Sequence, residues 1–495
     1  MRGFTLLQRA CDRLAVLLLA TALLDVSLFA QLQTPPALRP WSRAQSQTAD
    51  GFYFQPEVIG EDFPHATRAQ VLRDIALTRE VGAKALRFGV SWLEIEPEPG
   101  QYRWAKLDVI IHTAHEQGMP LIPYLCYTPR WAVANPKDAD FWSLPPRDPE
   151  WFARFARAVA TRYKGKVLAW GLWNEPDNVY WKGTPQELGK MIWAAARAIK
   201  EVDPQAGIWM GGLAEGADRF FRDVITTEHV ERTVNAIGMH GYPETWDART
   251  PEQYYYRELS EMRELLNSVH SADDLWADEN GYSDYRYSNL SASKYVDVPI
   301  IYDYEHTRAH QAVELWRDHI EVLSSGTASL MGWYRIHDLP ASTEVVGDAN
   351  NRFLGLVDVT GRRKPDFYAL RFYDALFDQP TRSLDEKVTI RPERSQAPVD
   401  LHVIEKKNGD VVVTGWLKRP DPATVRGRNG RARDRRPAER VEVQFPPGYQ
   451  FSRIRRYRLT GQVISDQKIQ NAESPFVLHG FAVTGADANI VVLSR

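Results

Sequence analysis

Between residues 51 and 377, short apolar runs alternate with stretches of helical spacing, and no other feature restricts the fold as much. The runs 51–54, 85–90, 121–125, 167–170, 207–210, 236–240, 275–279 and 328–333 read as strands. Helical spacing fills 67–81, 107–117, 151–163, 188–202, 309–323 and 364–377. Eight strand–helix units over about 330 residues predict an α/β chain, a (β/α)8 TIM barrel with enlarged loops. A doubly wound sheet would call for a glycine-rich phosphate loop after an early strand, and none is present.

The fourth run leads into Trp170-Gly171-Leu172-Trp173-Asn174-Glu175-Pro176-Asp177, where Pro176 stops the strand one residue after a carboxylate. Glu175 is thereby held at a strand end, on the face of a parallel barrel where active sites sit. Glu279 ends the seventh run, 104 residues on (279 − 175), or three barrel units of about 35 residues. Two carboxylates at the mouths of facing strands suit glycoside cleavage. One, protonated, expels the leaving oxygen, and the other, ionised, attacks carbon at a carboxyl separation of about 5–5.5 Å. Asp177 and Asp278 are alternative acids, and alternation along a strand turns Asp278 away from Glu279. Arg87, in the second run, is placed to pair with Glu279 and keep it ionised. Asn174 is placed to donate to a sugar 2-hydroxyl. His240 and Tyr242 are placed to hold the carboxylates in position. Trp131, Tyr282, Trp92 and Trp181 are expected either to line flanking subsites or to pack in the core. The loop 281–308, rich in tyrosine, is expected to act as a lid or binding wall.

Trp173-Asn174-Glu175-Pro176 resembles the acid/base motif of glycoside hydrolase clan A. In that clan the acid/base Glu ends the fourth strand after an Asn, and the nucleophile Glu ends the seventh. The resemblance implies those roles for Glu175 and Glu279. Leu86-Arg87-Phe88-Gly89-Val90-Ser91-Trp92 is similar to the second strand of families 5 and 39, whose Arg buttresses the nucleophile. His240-Gly241-Tyr242 resembles their His-x-Tyr after the sixth strand. Trp333 resembles the Trp after the eighth, which implies a floor beneath the cleaved sugar. Tyr127-Thr128-Pro129-Arg130-Trp131-Ala132 is most similar to bacterial family 39-type proteins, including those of exopolysaccharide loci. Gly355-Leu356-Val357-Asp358 with Lys364-Pro365 resembles the exit from the last strand in these families. Asp278-Glu279-Asn280-Gly281 departs from the family 39 context, Glu-Asn-Gly being closer to family 1. The resemblance covers 51–377 and implies a retaining glycosidase that works without a cofactor.

The remaining chain adds context. Arg2, Arg9 and Arg13 precede an apolar stretch over 14–30, which reads as an export signal or an uncleaved anchor within 1–31. Residues 32–50 read as a linker. Beyond 378 the pattern turns to short strands and a hairpin at Asn408-Gly409-Asp410, so 378–495 is expected to form an all-β sandwich. Its Arg-rich stretch 418–440 reads as a disordered loop, or as a contact for anionic polysaccharide or lipid headgroups, lying outside the active site. Net charge is −3, which does not steer the chain to nucleic acid. No Cys/His spacing suggests a metal site, and Cys126 reads as a buried small apolar residue. The 16 Trp and 21 Tyr exceed what a core needs and suit stacking on sugar rings. The sequence thus predicts an exported retaining β-glycoside hydrolase acting on an extracellular oligo- or polysaccharide, periplasmic or extracellular and open to a membrane tether. The alternative is a catalytically silent polysaccharide-binding or scaffold protein of an export system. Nothing in the sequence indicates an oligomeric state.

Overall fold

The computed structural model describes residues 47–495 except 64–65, 248, 285–305, 344, 346–348, 394–397, 420–435 and 471–473. The expected export segment, most of the linker, most of the tyrosine-rich loop and most of the Arg-rich stretch therefore lie outside the described residues.

The strands β1 (Glu57–Gly60), β2 (Ala85–Arg87), β3 (Gly89–Ser91), β4 (Tyr124–Cys126), β5 (Ala169–Leu172), β6 (Gly207–Leu213), β7 (Ala236–Gly241), β8 (Asp274–Asn280) and β9 (Ala328–Tyr334) form one parallel sheet. Its order is β2-β1-β9-β8-β7-β6-β5-β4-β3. β2 and β3 are halves of one stave broken at Phe88, and Leu86 bridges Leu121, so the nine strands make an eight-staved barrel. The first stave lies at 57–60, not at 51–54. Tyr53 instead pairs antiparallel with Thr381.

Helices α1 (Arg68–Val81), α2 (Ala105–Glu116), α3 (Pro149–Arg162), α4 (Pro185–Val202), α5 (Arg219–Thr226), α6 (Pro251–Ser268), α7 (Arg308–Ser325) and α8 (Pro365–Leu376) wrap the sheet. Their ends follow local chemistry. Thr184 and Glu187 cap α4 reciprocally, and Gly82 ends α1 in the left-handed region at φ 99°. α5 and α6 were not legible from apolar spacing. Their start signals were present, in Asp218, which accepts from Phe221 N, and in the Thr250-Pro251 box closed by Gln253.

The barrel interior is plugged from below by one residue per stave: Val58, Ala85, Ile122, Ala169, Trp209, Ala236, Trp276 and Leu330. The two tryptophans, with ring centroids 5.7 Å apart, fill the space that the three alanines leave open. Arg87 stands above this plug, 5.6 Å from the Trp209 ring.

After the barrel, β10 (Thr381–Ser383), β11 (Thr389–Pro392), β12 (Val399–Lys406), β13 (Val411–Leu417), β14 (Glu439–Gln444), β15 (Arg453–Tyr457), β16 (Val463–Lys468), β17 (Val477–Val483) and β18 (Asn489–Ser494) form two antiparallel sheets. These are β10-β12-β13-β18-β15-β16 and β11-β14-β17, packed as a sandwich over Val403, Val413, Phe445 and Phe481. The expected hairpin is β12–β13, with Gly409 at φ 90°. The outer face of the larger sheet continues the barrel core. Trp316 of α7 donates to Thr414 Oγ1 at 3.0 Å, and Phe372 of α8 packs 5.2 Å from Tyr457.

Candidate active site

A cavity of about 570 Å³ opens at the C-terminal ends of the barrel strands, and both Glu175 and Glu279 line it. The chain leaving β5 turns sharply: Trp173 and Glu175 adopt φ 71° and 43°, a region that side chains rarely enter. Glu175 N donates to Gly212 O at 2.9 Å, which ties this turn to β6. Residue 211 must be glycine here, since a Cβ would lie 1.8 Å from Trp173 O. Asp177 accepts from Ala214 N and Glu215 N at 2.9 and 2.8 Å. Burial pushes its carboxyl up to about 7 against the pull of these two amides, so it clamps two loops together.

Arg87 connects the site. Its Nε donates to Asp278 Oδ2 at 2.8 Å, Nη1 to Glu279 Oε2, and Nη2 to Asn174 Oδ1 at 3.0 Å. The Tyr242 hydroxyl donates to Glu279 Oε1 at 2.6 Å. Burial opposes charge on Glu279, but the Arg87 guanidinium and the Tyr242 hydroxyl hold it below the ordinary carboxylate range. His240 Nδ1 lies 2.7 Å from Glu175 Oε1, and its Nε2 lies 3.0 Å from Arg87 Nη2. Burial depresses this imidazole, while Glu279 and Asp278 raise it to about 10. A guanidinium offers no lone pair, however, so a doubly protonated ring would set two donors face to face. The neutral ring, donating from Nδ1 to Glu175 and accepting from Arg87, satisfies both contacts.

One carboxylate oxygen each of Glu175 and Glu279, with a His240 nitrogen, lie within 4.8 Å of one another. A metal ion is poorly suited to this trio, because the Arg87 guanidinium already bonds both Glu279 and His240. Asn174 spends its carbonyl on Arg87 and lines the cavity.

The expectation for Asp278 is corrected. It shares Arg87 with Glu279 rather than facing away. β8 carries a bulge: Gly238 pairs with Trp276 but His240 with Glu279, and Ala277 pairs with Met331 but Asn280 with Trp333. The extra residue breaks the alternation, so Asp278 and Glu279 both point inward. Gly212 and Gly238 leave the room that Asp278 occupies, since a Cβ at either would come within 2.8 Å of its Oδ1.

The expected aromatic wall is also corrected. Trp333 is fully buried toward α7, 6.1 Å from the His319 ring, and the next residue, Tyr334, lines the cavity instead. Trp131 packs between Trp92 and Trp151 and donates to Glu96 O at 2.9 Å. Trp181 packs on Trp173, and Tyr282 stacks on His306 at 4.8 Å. The cavity takes its rings from Tyr124, Tyr127, Tyr180, Tyr242, Trp246, Tyr254 and Tyr334. Tyr334 was findable as the neighbour of Trp333 on the opposite face of the strand. Tyr180 and Trp246 stand on loops whose course carries no periodic signal.

A family model for glycoside hydrolase 42, described as beta-galactosidase, matches residues 62–135. A beta-xylosidase from Geobacillus stearothermophilus is 24% identical over 302 residues, 57% of this chain and 58% of that protein. A second beta-xylosidase, from Caldicellulosiruptor saccharolyticus, is 25% identical over 348 residues, 63% and 67% of the two chains. The chain thus spans little more than half the length of the first of these relatives. Among solved structures, a family 39 glycoside hydrolase from Bacteroides cellulosilyticus superposes with a TM-score of 0.59 at 15% identity, covering 89% of this chain and 81% of that one. A monomeric beta-xylosidase from Caulobacter crescentus gives 0.57 at 17% identity, covering 89% and 96%. These likenesses establish a shared barrel-and-sandwich fold. The sequence matches, for their part, make the chain similar to glycoside hydrolases.

Proposed function

We propose that this protein is a retaining β-glycosidase that hydrolyses O-glycosidic bonds of an extracellular oligo- or polysaccharide. The observation that carries the reading is the pair of carboxylates at the mouth of one cavity, with oxygens within 4.8 Å. That spacing suits double displacement better than the wider gap of roughly 6.5–9.5 Å, which leaves room for a water between the carboxyls. The beta-galactosidase model and the beta-xylosidases named above differ in sugar but share the β-linkage, and xylosides are the first substrates to try.

Each step has a residue. Glu279, held ionised by Arg87 and Tyr242, attacks the anomeric carbon. Glu175 gives its proton to the departing glycosidic oxygen, and a covalent glycosyl-enzyme forms. Water then attacks the same carbon, Glu175 takes its proton, and the bond to Glu279 breaks. His240 orients Glu175 through Nδ1. Asn174 NH2 donates to the sugar 2-hydroxyl, a contact that strengthens in the transition state. The apolar stretch at 14–30, behind three arginines, supports export, with the catalytic body outside the cytoplasm.

The test is a panel of aryl β-glycosides, beginning with the xyloside and the galactoside. Release of phenol with retained configuration at the anomeric carbon is expected. Binding across the panel with no phenol released would reject the reading in favour of a silent polysaccharide-binding protein.

A further inference from the structure

Two residues beyond β13 the chain of the sandwich packs on the barrel, against α7 and the turn after β7. Arg419 is 6% exposed at its side chain. Its Nη1 lies 2.5 Å from Glu244 Oε2, and its Nη2 lies 2.5 Å from Glu314 Oε1 and contacts His310 Nε2. Glu314 has further partners in Arg317 and His310, at 3.0 and 2.9 Å. The ion pair that Glu244 makes among the described residues is with Arg419.

Glu244 has no exposed surface and sits at φ 58°, inside a turn that follows β7. The amides of Thr245, Trp246 and Asp247 all donate to Tyr242 O, at 3.1, 3.1 and 3.2 Å, and Glu244 N donates to Asp247 O at 2.7 Å. The turn carries Tyr242, Trp246 and Asp247, which line the cavity. Tyr242 holds Glu279, and its ring packs 4.5 Å from Trp246. A carboxylate without water stays in a core only when paired. Burial drives the Glu244 carboxyl well above the ordinary range, and pairing with Arg419 offsets part of that. Without Arg419, the carboxyl loses the ion-pair partner it has among the described residues and is drawn toward water, and the turn moves with it.

We propose that Arg419 is a positioning residue for catalysis, supplied to the barrel by the sandwich: by pairing with buried Glu244 it pins the turn 242–247, and so keeps Tyr242 on Glu279 and Trp246 in the cavity wall. This deepens the glycosidase reading and rests on it for the kinetic arm of the test alone. It also corrects the expectation that the whole of 418–440 lies apart from the site. The sandwich completes the catalytic unit and is not a removable appendage.

The test uses the full chain as wild type, R419K, R419M and the double variant R419M/E244Q. Hydrogen exchange by mass spectrometry follows peptides across 242–247, and kcat and KM are measured on the aryl β-glycoside that the wild type cleaves fastest. R419M should exchange about tenfold faster in these peptides than wild type, while peptides of α2 and α3 keep their rates. Its kcat should fall about tenfold or more, with KM less affected. R419K keeps the charge and should stay within about threefold of wild type in kcat. The double variant leaves no orphan charge, so it should regain exchange protection and most of kcat. Unchanged exchange and kcat in R419M overturn the proposal, as does a double variant that folds but stays as impaired as R419M. If R419M does not fold, R419K and the double variant decide by the same two readouts. A wild type inactive across the panel sinks the glycosidase reading instead, and the exchange data still judge the pin.

Discussion

Arg87 and Glu279 form an ion pair at the mouth of the barrel, and the same guanidinium bonds Asn174, the residue that precedes Glu175. One buried cation thus stabilises charge on the strand-8 carboxylate and fixes the loop that carries its partner. In the proposed mechanism this asymmetry makes Glu279 the nucleophile and Glu175 the acid/base. Glu175→Ala should spare aryl glycosides with acidic phenols far more than natural linkages, because an easy leaving group needs little acid. Added azide should intercept its glycosyl-enzyme and give a β-glycosyl azide. Glu279→Gly forms no such intermediate, so azide should attack the β-substrate directly and give the α-azide. Both variants should lose several kcal/mol of barrier lowering on natural linkages, about tenfold in rate for each 1.4 kcal/mol. Proton NMR of the two azides reads the configurations, and a swap would reverse the roles.

Tyr242→Phe tests what keeps Glu279 charged. The nucleophile works only when ionised, so the acid limb of kcat/KM follows its pKa in the free enzyme. The tyrosine hydroxyl lowers that pKa, so removing it should raise the pKa and move the limb to higher pH. A hydrogen bond to a charged group is worth about 1.5–3 kcal/mol, which corresponds to a move of about one pH unit or more. A pH–rate profile identical to wild type would mean that Arg87 alone sets the charge.

Gly211→Ala tests the crossing of β6 beneath the Trp173 carbonyl. The added methyl meets the Trp173 backbone carbonyl oxygen at 1.8 Å, so the turn holding Glu175 must shift. A displacement of about 1 Å at a catalytic group lowers turnover by about a hundredfold. Kinetics on an activated aryl glycoside and on a natural linkage separate the effects. The natural linkage should suffer more, because it depends on the proton from Glu175. Equal losses on both would place the damage elsewhere.

The cavity wall also predicts selectivity. Asp62, Glu94, Glu215 and Asp247 line it; Lys106 pairs with Glu94, Arg249 with Asp247 and Arg335 with Asp62, which leaves Glu215 and the catalytic pair to set the sign of the field. Arg335 is also paired with Glu61. A uronic acid would bring a further negative charge into this field, and like charges brought together in a site cost several kcal/mol. The aryl β-glucuronide should therefore be cleaved about a hundredfold or more slowly than the β-glucoside. Added salt should narrow the gap. A glucuronide handled as well as the glucoside would show that these carboxylates do not face the sugar.

The sequence by itself determined the barrel, because eight apolar runs spaced by helices have few other ways to bury both faces of a parallel sheet. It also determined that Glu175, Glu279, Asn174, His240 and Tyr242 lie at strand ends, since strand termini are marked locally by Pro176 and by the limits of each run, whereas the break that ends β2 at Arg87 appears only in the structure. What it did not carry was register and side-chain direction beyond a single strand. The bulge in β8 exists only as a mismatch with β7 and β9, so the inward turn of Asp278 could not be read from alternation. Burial of Trp333 and exposure of Tyr334 to the cavity depend on which face of β9 meets α7. Arg419 reaches Glu244 across 175 residues (419 − 244), a pairing set by how the sandwich docks on the barrel. Local preference decides where strands and helices form. Contacts between elements far apart in the chain decide which side chains share a cavity, and no short-range signal encodes them.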